Sequence, residues 1–138
     1  MTWSRTETEY DGLPLLLRRP NHQGIWSLQN DFSKLVLIKH NLSKVCNDGL
    51  PDSDYNDTLA EYDSYMCNLF CGTDNGIIIL IETYSGSRNY FYYVHHRVDV
   101  NSQLNAARKK FEVDLTIVEK IDRAWEFLTG YPIELFPK

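Results

Sequence analysis

The sequence predicts an α+β fold: a ferredoxin-like split βαβ sandwich, an antiparallel sheet with two helices on one face, plus an N-terminal β-hairpin. Three observations carry this expectation. Residues 76–96, GIIILIETYSGSRNYFYYVHH, place two runs rich in Ile, Tyr and Phe around Ser85-Gly86-Ser87, the composition of a central hairpin. On either side of it lies a stretch with apolar residues at helical spacing. Counted from residue 34, the elements run strand, helix, strand, strand, helix, strand. At 138 residues, with no internal repeat or low-complexity linker, the chain makes one domain, 1–138.

Taken in order, residues 3–10 are polar and Thr-rich, an exposed strand, and Asp11-Gly12 turns the chain into a second strand over 13–19. Pro14 has no N–H to give to a ladder, so it belongs at the edge or the start of that strand. Residues 20–30 form a loop with Ile25 and Trp26 as a hydrophobic plug. Residues 34–41, KLVLIKHN, read as a strand buried on both faces. After Asn47-Asp48-Gly49-Leu50-Pro51, Asp52 or Ser53 caps a helix over 54–70, whose stripe is Tyr55, Leu59, Tyr62, Met66, Leu69 and Phe70, with Gly72 as its stop. In the second strand of the hairpin, Arg88, Tyr90, Tyr92, Val94 and His96 share one face, and Asn89, Phe91, Tyr93 and His95 the other. Asp99 caps a second helix to Phe111, striped by Val100, Leu104 and Ala107, and residues 113–118 make the last strand. The aromatic tail, with Trp125, Phe127, Tyr131 and Phe136, is expected to pack over the core.

Composition excludes several classes. A hydrophobic content of 43% and a charged content of 24% are those of a soluble globular protein. The longest apolar run, 77–81, is far short of the ~20 residues a bilayer requires, so no membrane partner is expected. The opening MTWSRTETEY lacks the apolar core of a secretion signal, and three cysteines make no even disulfide set; both point to a cytoplasmic setting. Net charge is −5, and none of the 14 Lys and Arg falls within residues 45–87, which hold eight of the 19 acids. One anionic segment on a near-neutral background favours a basic protein partner over nucleic acid.

Five motifs recur in order. Tyr10-Asp11-Gly12-Leu13-Pro14 follows an N-terminal Trp, and Asp48-Gly49-Leu50-Pro51 precedes a helix. Gly86-Ser87-Arg88-Asn89-Tyr90-Phe91-Tyr92 lies on a central strand, with Asp122-Arg123-Ala124-Trp125 and Tyr131-Pro132 towards the C-terminus. In this order they resemble the bacterial family catalogued as domain of unknown function 695. The resemblance implies an α+β domain in an intracellular bacterial setting and brings no catalytic residues. The chain departs from the pattern at Asn89-Tyr90, where a more charged strand would stand.

The residues support no cofactor and no metal site. His95 and His96 are adjacent on a strand, so their side chains should point to opposite faces and not share one ion. Cys67 and Cys71 come to one side of a helix, but no second pair completes a zinc set. There is no phosphate loop, nucleophile elbow or metalloprotease helix, and no catalytic residue is assigned. The leading expectation is a non-enzymatic binding protein, of the kind of an immunity protein that inhibits a basic, nuclease-like toxin. Its docking residues would be Asp48, Asp52, Asp54, Asp57, Glu61 and Asp63, with Tyr55, Tyr65 and Trp26 as anchors. Three alternatives stay open: a small enzyme with a sheet-edge site at His95 or His96, a self-associating homodimer subunit, and an RNA-binding module. The last would stack bases on Tyr90 and Tyr92 beside Arg88. Against it stand the net negative charge and the absence of an aromatic from KLVLIKHN.

Overall fold

The computed structural model describes residues 2–70 and 75–138. Six strands form one antiparallel sheet: β1 (Trp3–Tyr10), β2 (Leu13–Pro20), β3 (Lys34–Asn41), β4 (Gly76–Tyr84), β5 (Ser87–Val94) and β6 (Leu115–Ile121), in the order β1-β2-β4-β5-β3-β6. The helices are α1 (Ser53–Thr58), α2 (Ala60–Cys67), α3 (Val100–Phe111) and α4 (Glu126–Thr129), and a 3₁₀ turn spans Ile25–Leu28. The fold is α+β.

Both two-residue hairpins use backbone that only a few residue types adopt readily. Asp11 and Gly12 have φ of 51° and 81°, and Ser85 and Gly86 have 46° and 89°. Positive φ at both positions is what matches a tight turn to the right-handed twist of its strands. The N-terminal hairpin does more than cover an edge: Leu15, Leu16, Leu17 and Arg18 pair with β4 and extend the sheet. Pro14 pairs with Glu9 of β1 and lies just before the segment bonded to β4, so its missing N–H is harmless there.

Alternation along β5 divides the core in two. Tyr90, Tyr92 and Val94 face a cluster with Val36, Ile38, Tyr62 and Met66 and with Val100, Leu104 and Ala107 of α3. Phe91 and Tyr93 face the opposite cluster, closed by Ile25, Phe32, Trp125, Leu128, Leu135 and Phe136. The plug and the aromatic tail thus cover the face that the longer helices leave open. Trp125, fully buried, stacks on Tyr93 at 4.4 Å and 8° and donates from Nε1 to the Phe32 carbonyl at 2.7 Å. Asp122 holds the turn before it, accepting from Tyr93 Oη at 2.6 Å and from the backbone N–H of Glu126 and Phe127.

Three expectations change. The first predicted helix is two, because Leu59 ends α1 as its C-cap and α2 restarts at Ala60; the stripe residues Leu59, Tyr62, Met66 and Phe70 are nevertheless buried. The last strand runs from Leu115 to Ile121, later than the predicted 113–118. Asp52 rather than Ser53 is the cap, accepting from the Tyr55 N–H. The predicted stop at Gly72, with Cys71 and Asp74, lies outside the described residues. Among the described residues no helix is long and apolar enough to cross a membrane.

Candidate functional site

The acidic segment comes to the surface between β3 and β4. Asp48, Asp52, Asp54, Asp57 and Glu61 are exposed. The loop that carries Asp48 is pinned to the central hairpin: Gly49 accepts from the Gly86 N–H at 2.8 Å and approaches Ser85 so closely that a Cβ would lie 2.7 Å from its Cα. Asp48 and Asp52 also bond locally, to the N–H of Leu50 and Tyr55. Glu61 meets Lys110 of α3 at 3.3 Å with both side chains well exposed, a pair that contributes little. Asp54 and Asp57 make no ion pair among the described residues.

Asp63 is not part of that face, contrary to the sequence expectation. It receives both terminal nitrogens of Arg18, at 2.6 and 2.9 Å, and the hydroxyl of Tyr90 at 2.7 Å. Burial pushes its carboxyl up, but the hydrogen bond and charge of Arg18, then Tyr90 and Arg88, outweigh burial and hold it below its ordinary value. The same burial and the Asp63 charge push the Tyr90 phenol well up, so it stays a donor. The anchors divide as well. Tyr65 packs edge-on against Phe111 and lines a groove between α2 and α3 of about 390 Å³ with Glu61 and Lys110. Tyr55 is half-buried, its hydroxyl accepting from the Ser43 N–H at 3.2 Å. Trp26 belongs to the opposite core cluster, bonded to the Phe136 carbonyl with Lys138 over its ring, and is not continuous with the acids of α2.

Beneath the N-terminal hairpin lies a second feature that no sequence pattern announced. A cleft of about 390 Å³ is lined by Arg5 and Glu7 of β1, Arg18 of β2, Asn56 and Asp57 of α1, Asp63 of α2, and Thr83 and Arg88 of the central hairpin. Arg88 is only 8% exposed; its Nε donates to Thr83 Oγ1 at 3.0 Å and its Nη2 to Asn56 Oδ1 at 2.9 Å. Behind it His40, its cross-strand partner, is buried edge-on against Tyr62, and burial followed by the charge of Arg88 lowers its pKa. Among the described residues, the buried His40 Nδ1 and Tyr62 Oη have no hydrogen-bond partner. The cleft residues come from six elements, which is why spacing could not gather them. The one legible hint was an arginine in phase with Tyr90, Tyr92 and Val94 on a core face.

Two further expectations are corrected by position. Tyr90 and Tyr92 are fully buried against the helices and offer no ring face to a base. His95 and His96 do not diverge: β5 ends at Val94, the chain turns, and the two rings stack at 4.5 Å. His96 is lowered by desolvation and by the charges of His95, Arg97, Arg123 and Lys34. Among the described residues no group of three or more His, Cys, Asp or Glu is placed to hold a metal ion.

No curated protein and no solved structure matches the chain. The model of the "Family of unknown function (DUF695)" matches residues 5–131, nearly the whole chain. That span takes in the hairpin turn at Asp11-Gly12, the Gly49 loop docked on Ser85-Gly86, and the Asp122–Trp125 turn. The chain therefore belongs to this family of unknown function.

Proposed function

We propose that the chain is a non-enzymatic binding protein that presents the acidic loop and helix between β3 and β4 to a basic protein, in the manner of an immunity protein masking a nuclease-like toxin. The observation that carries this reading is the exposed group Asp48, Asp52, Asp54, Asp57 and Glu61, in which, among the described residues, Glu61 alone makes an ion pair. Unneutralised acids on a rigid surface speed encounter with a basic partner, while an apolar anchor supplies tightness. Tyr65, in the groove between α2 and α3, is the anchor continuous with that surface. A bacterial cytoplasm suits the reading, since the Cys46 thiol is exposed. The ferredoxin-like core belongs to it too: the run β4-β5-β3-β6, with helices between β3 and β4 and between β5 and β6, supports a split βαβ unit extended by the β1-β2 hairpin.

The test exchanges Asp54, Asp57 and Glu61 for Ser, Asn and Gln together. Each surface change should alter stability by no more than ~0.5 kcal/mol. Protein captured on the wild-type chain from host lysate is identified, purified and mixed with both forms in stopped flow at low and high salt. A basic partner whose association slows at low salt, and whose salt dependence flattens, supports the proposal. Capture of no basic protein, or an unaltered low-salt rate, overturns it.

A further inference from the structure

We propose that the cleft beneath the N-terminal hairpin binds a small monocarboxylate, held on the guanidinium of Arg88. A charge this deeply buried is ordinarily paired with an opposite one. Arg88 is not: the ion pairs among the described residues are Arg18–Asp63, Lys34–Glu119 and Lys110–Glu61. Its bonds go to the neutral oxygens of Thr83 and Asn56, and no bond among the described residues uses Nη1. Asp63 cannot swing over to neutralise it, because both of its oxygens are taken by Arg18 and one also accepts from Tyr90. The cleft therefore presents a fixed, preorganised cation with no carboxylate in ion-pair contact among the described residues.

The lining selects the anion. A guanidinium offers a planar fork that fits the two oxygens of a carboxylate. Glu7, Asp57 and Asp63 balance Arg5, Arg18 and Arg88 in the lining, so the cleft has no excess positive charge to hold a dianion such as phosphate, whereas a single negative charge fits Arg88. Leu16, Leu17, Leu59 and Ala60 supply apolar wall for a short alkyl group. A volume of about 390 Å³ is at the small end of ligand cavities, which suits a metabolite-sized acid. The cleft shares Asp57 with the acidic docking surface, but neither proposal needs the other.

The test titrates the ¹⁵N-labelled protein with butyrate, and separately with inorganic phosphate, at constant ionic strength, following the arginine Nε–H resonances. Butyrate should move the Arg88 signal saturably, with a midpoint below about 20 mM for so small a ligand. Its affinity should exceed that of phosphate by about tenfold or more. Ala60→Phe, a change at an exposed helix position, should fill the cleft and remove the response without unfolding the chain. A shift that stays linear, phosphate binding as tightly as butyrate, or an undiminished response in Ala60→Phe would each overturn the assignment.

Discussion

Trp125→Ala should remove about 3–5 kcal/mol of stability. Three contributions meet at this residue. The indole is fully buried, so truncation leaves a cavity lined by the tail, the plug and β5. Its stacking on Tyr93, at 4.4 Å and 8°, is worth ~0.5–1.5 kcal/mol beyond the burial of area. Its N–H is the donor to the Phe32 carbonyl, and a buried acceptor left unpaired costs ~1–3 kcal/mol. These overlap, so the total stays near the figure for large buried side chains rather than at their sum. The left-handed backbone at Trp125, φ 52°, is strained for tryptophan and alanine alike and largely cancels in the comparison. Against a total of ~5–15 kcal/mol for a domain, the loss should lower the urea midpoint by roughly 2 M. Far-UV circular dichroism is the suitable probe, because Trp3 and Trp26 remain to confuse fluorescence. Trp125→Phe keeps a ring on Tyr93 but loses the donor, and should cost about 1–3 kcal/mol. An unchanged midpoint in Trp125→Ala would show that the tail does not close the sheet, and the account of the second core cluster would fail.

Asp63 gives a pH prediction. Burial raises its carboxyl, the Arg18 hydrogen bond and charge with Tyr90 and Arg88 lower it, and the folded value lies below the unfolded one of about 3.9. Its contribution is thus present above that unfolded value and is lost as pH falls through the folded one. Urea midpoints measured from pH about 2.5 to 6 should fall less steeply on the acid side in Asp63→Asn than in the wild type, and equal slopes would refute the linkage. Gly49→Ala should cost ~1–3 kcal/mol, since φ is 84° and the new Cβ would meet Ser85 Cα at 2.7 Å. Gly12→Ala, with φ 81° but nothing within 4 Å, should cost only about 1 kcal/mol; equal losses would show that the loop does not press on the hairpin.

What the sequence determined by itself was much of what depends on neighbours along the chain, though not the helix break at Leu59 or the end of β5 before His95. The period of two in β5 assigned Tyr90, Tyr92 and Val94 to one layer and Phe91 and Tyr93 to the other, because pleating alone forces that alternation. The turn dipeptides Asp11-Gly12 and Ser85-Gly86 and the Asp99 cap were legible because each acts through backbone within a few residues. Only the tertiary structure decided what is distant in sequence. It put Asp63 inside an ion pair with Arg18, 45 residues away, although its place in the anionic segment had assigned it to the docking surface. It carried Trp26 to the far side of the sheet from α2. The Arg88 cleft is of the same kind. Its residues share no spacing, and a buried charge is recognised only once the groups around it, and the absence of a direct ion pair to it among the described residues, can be seen.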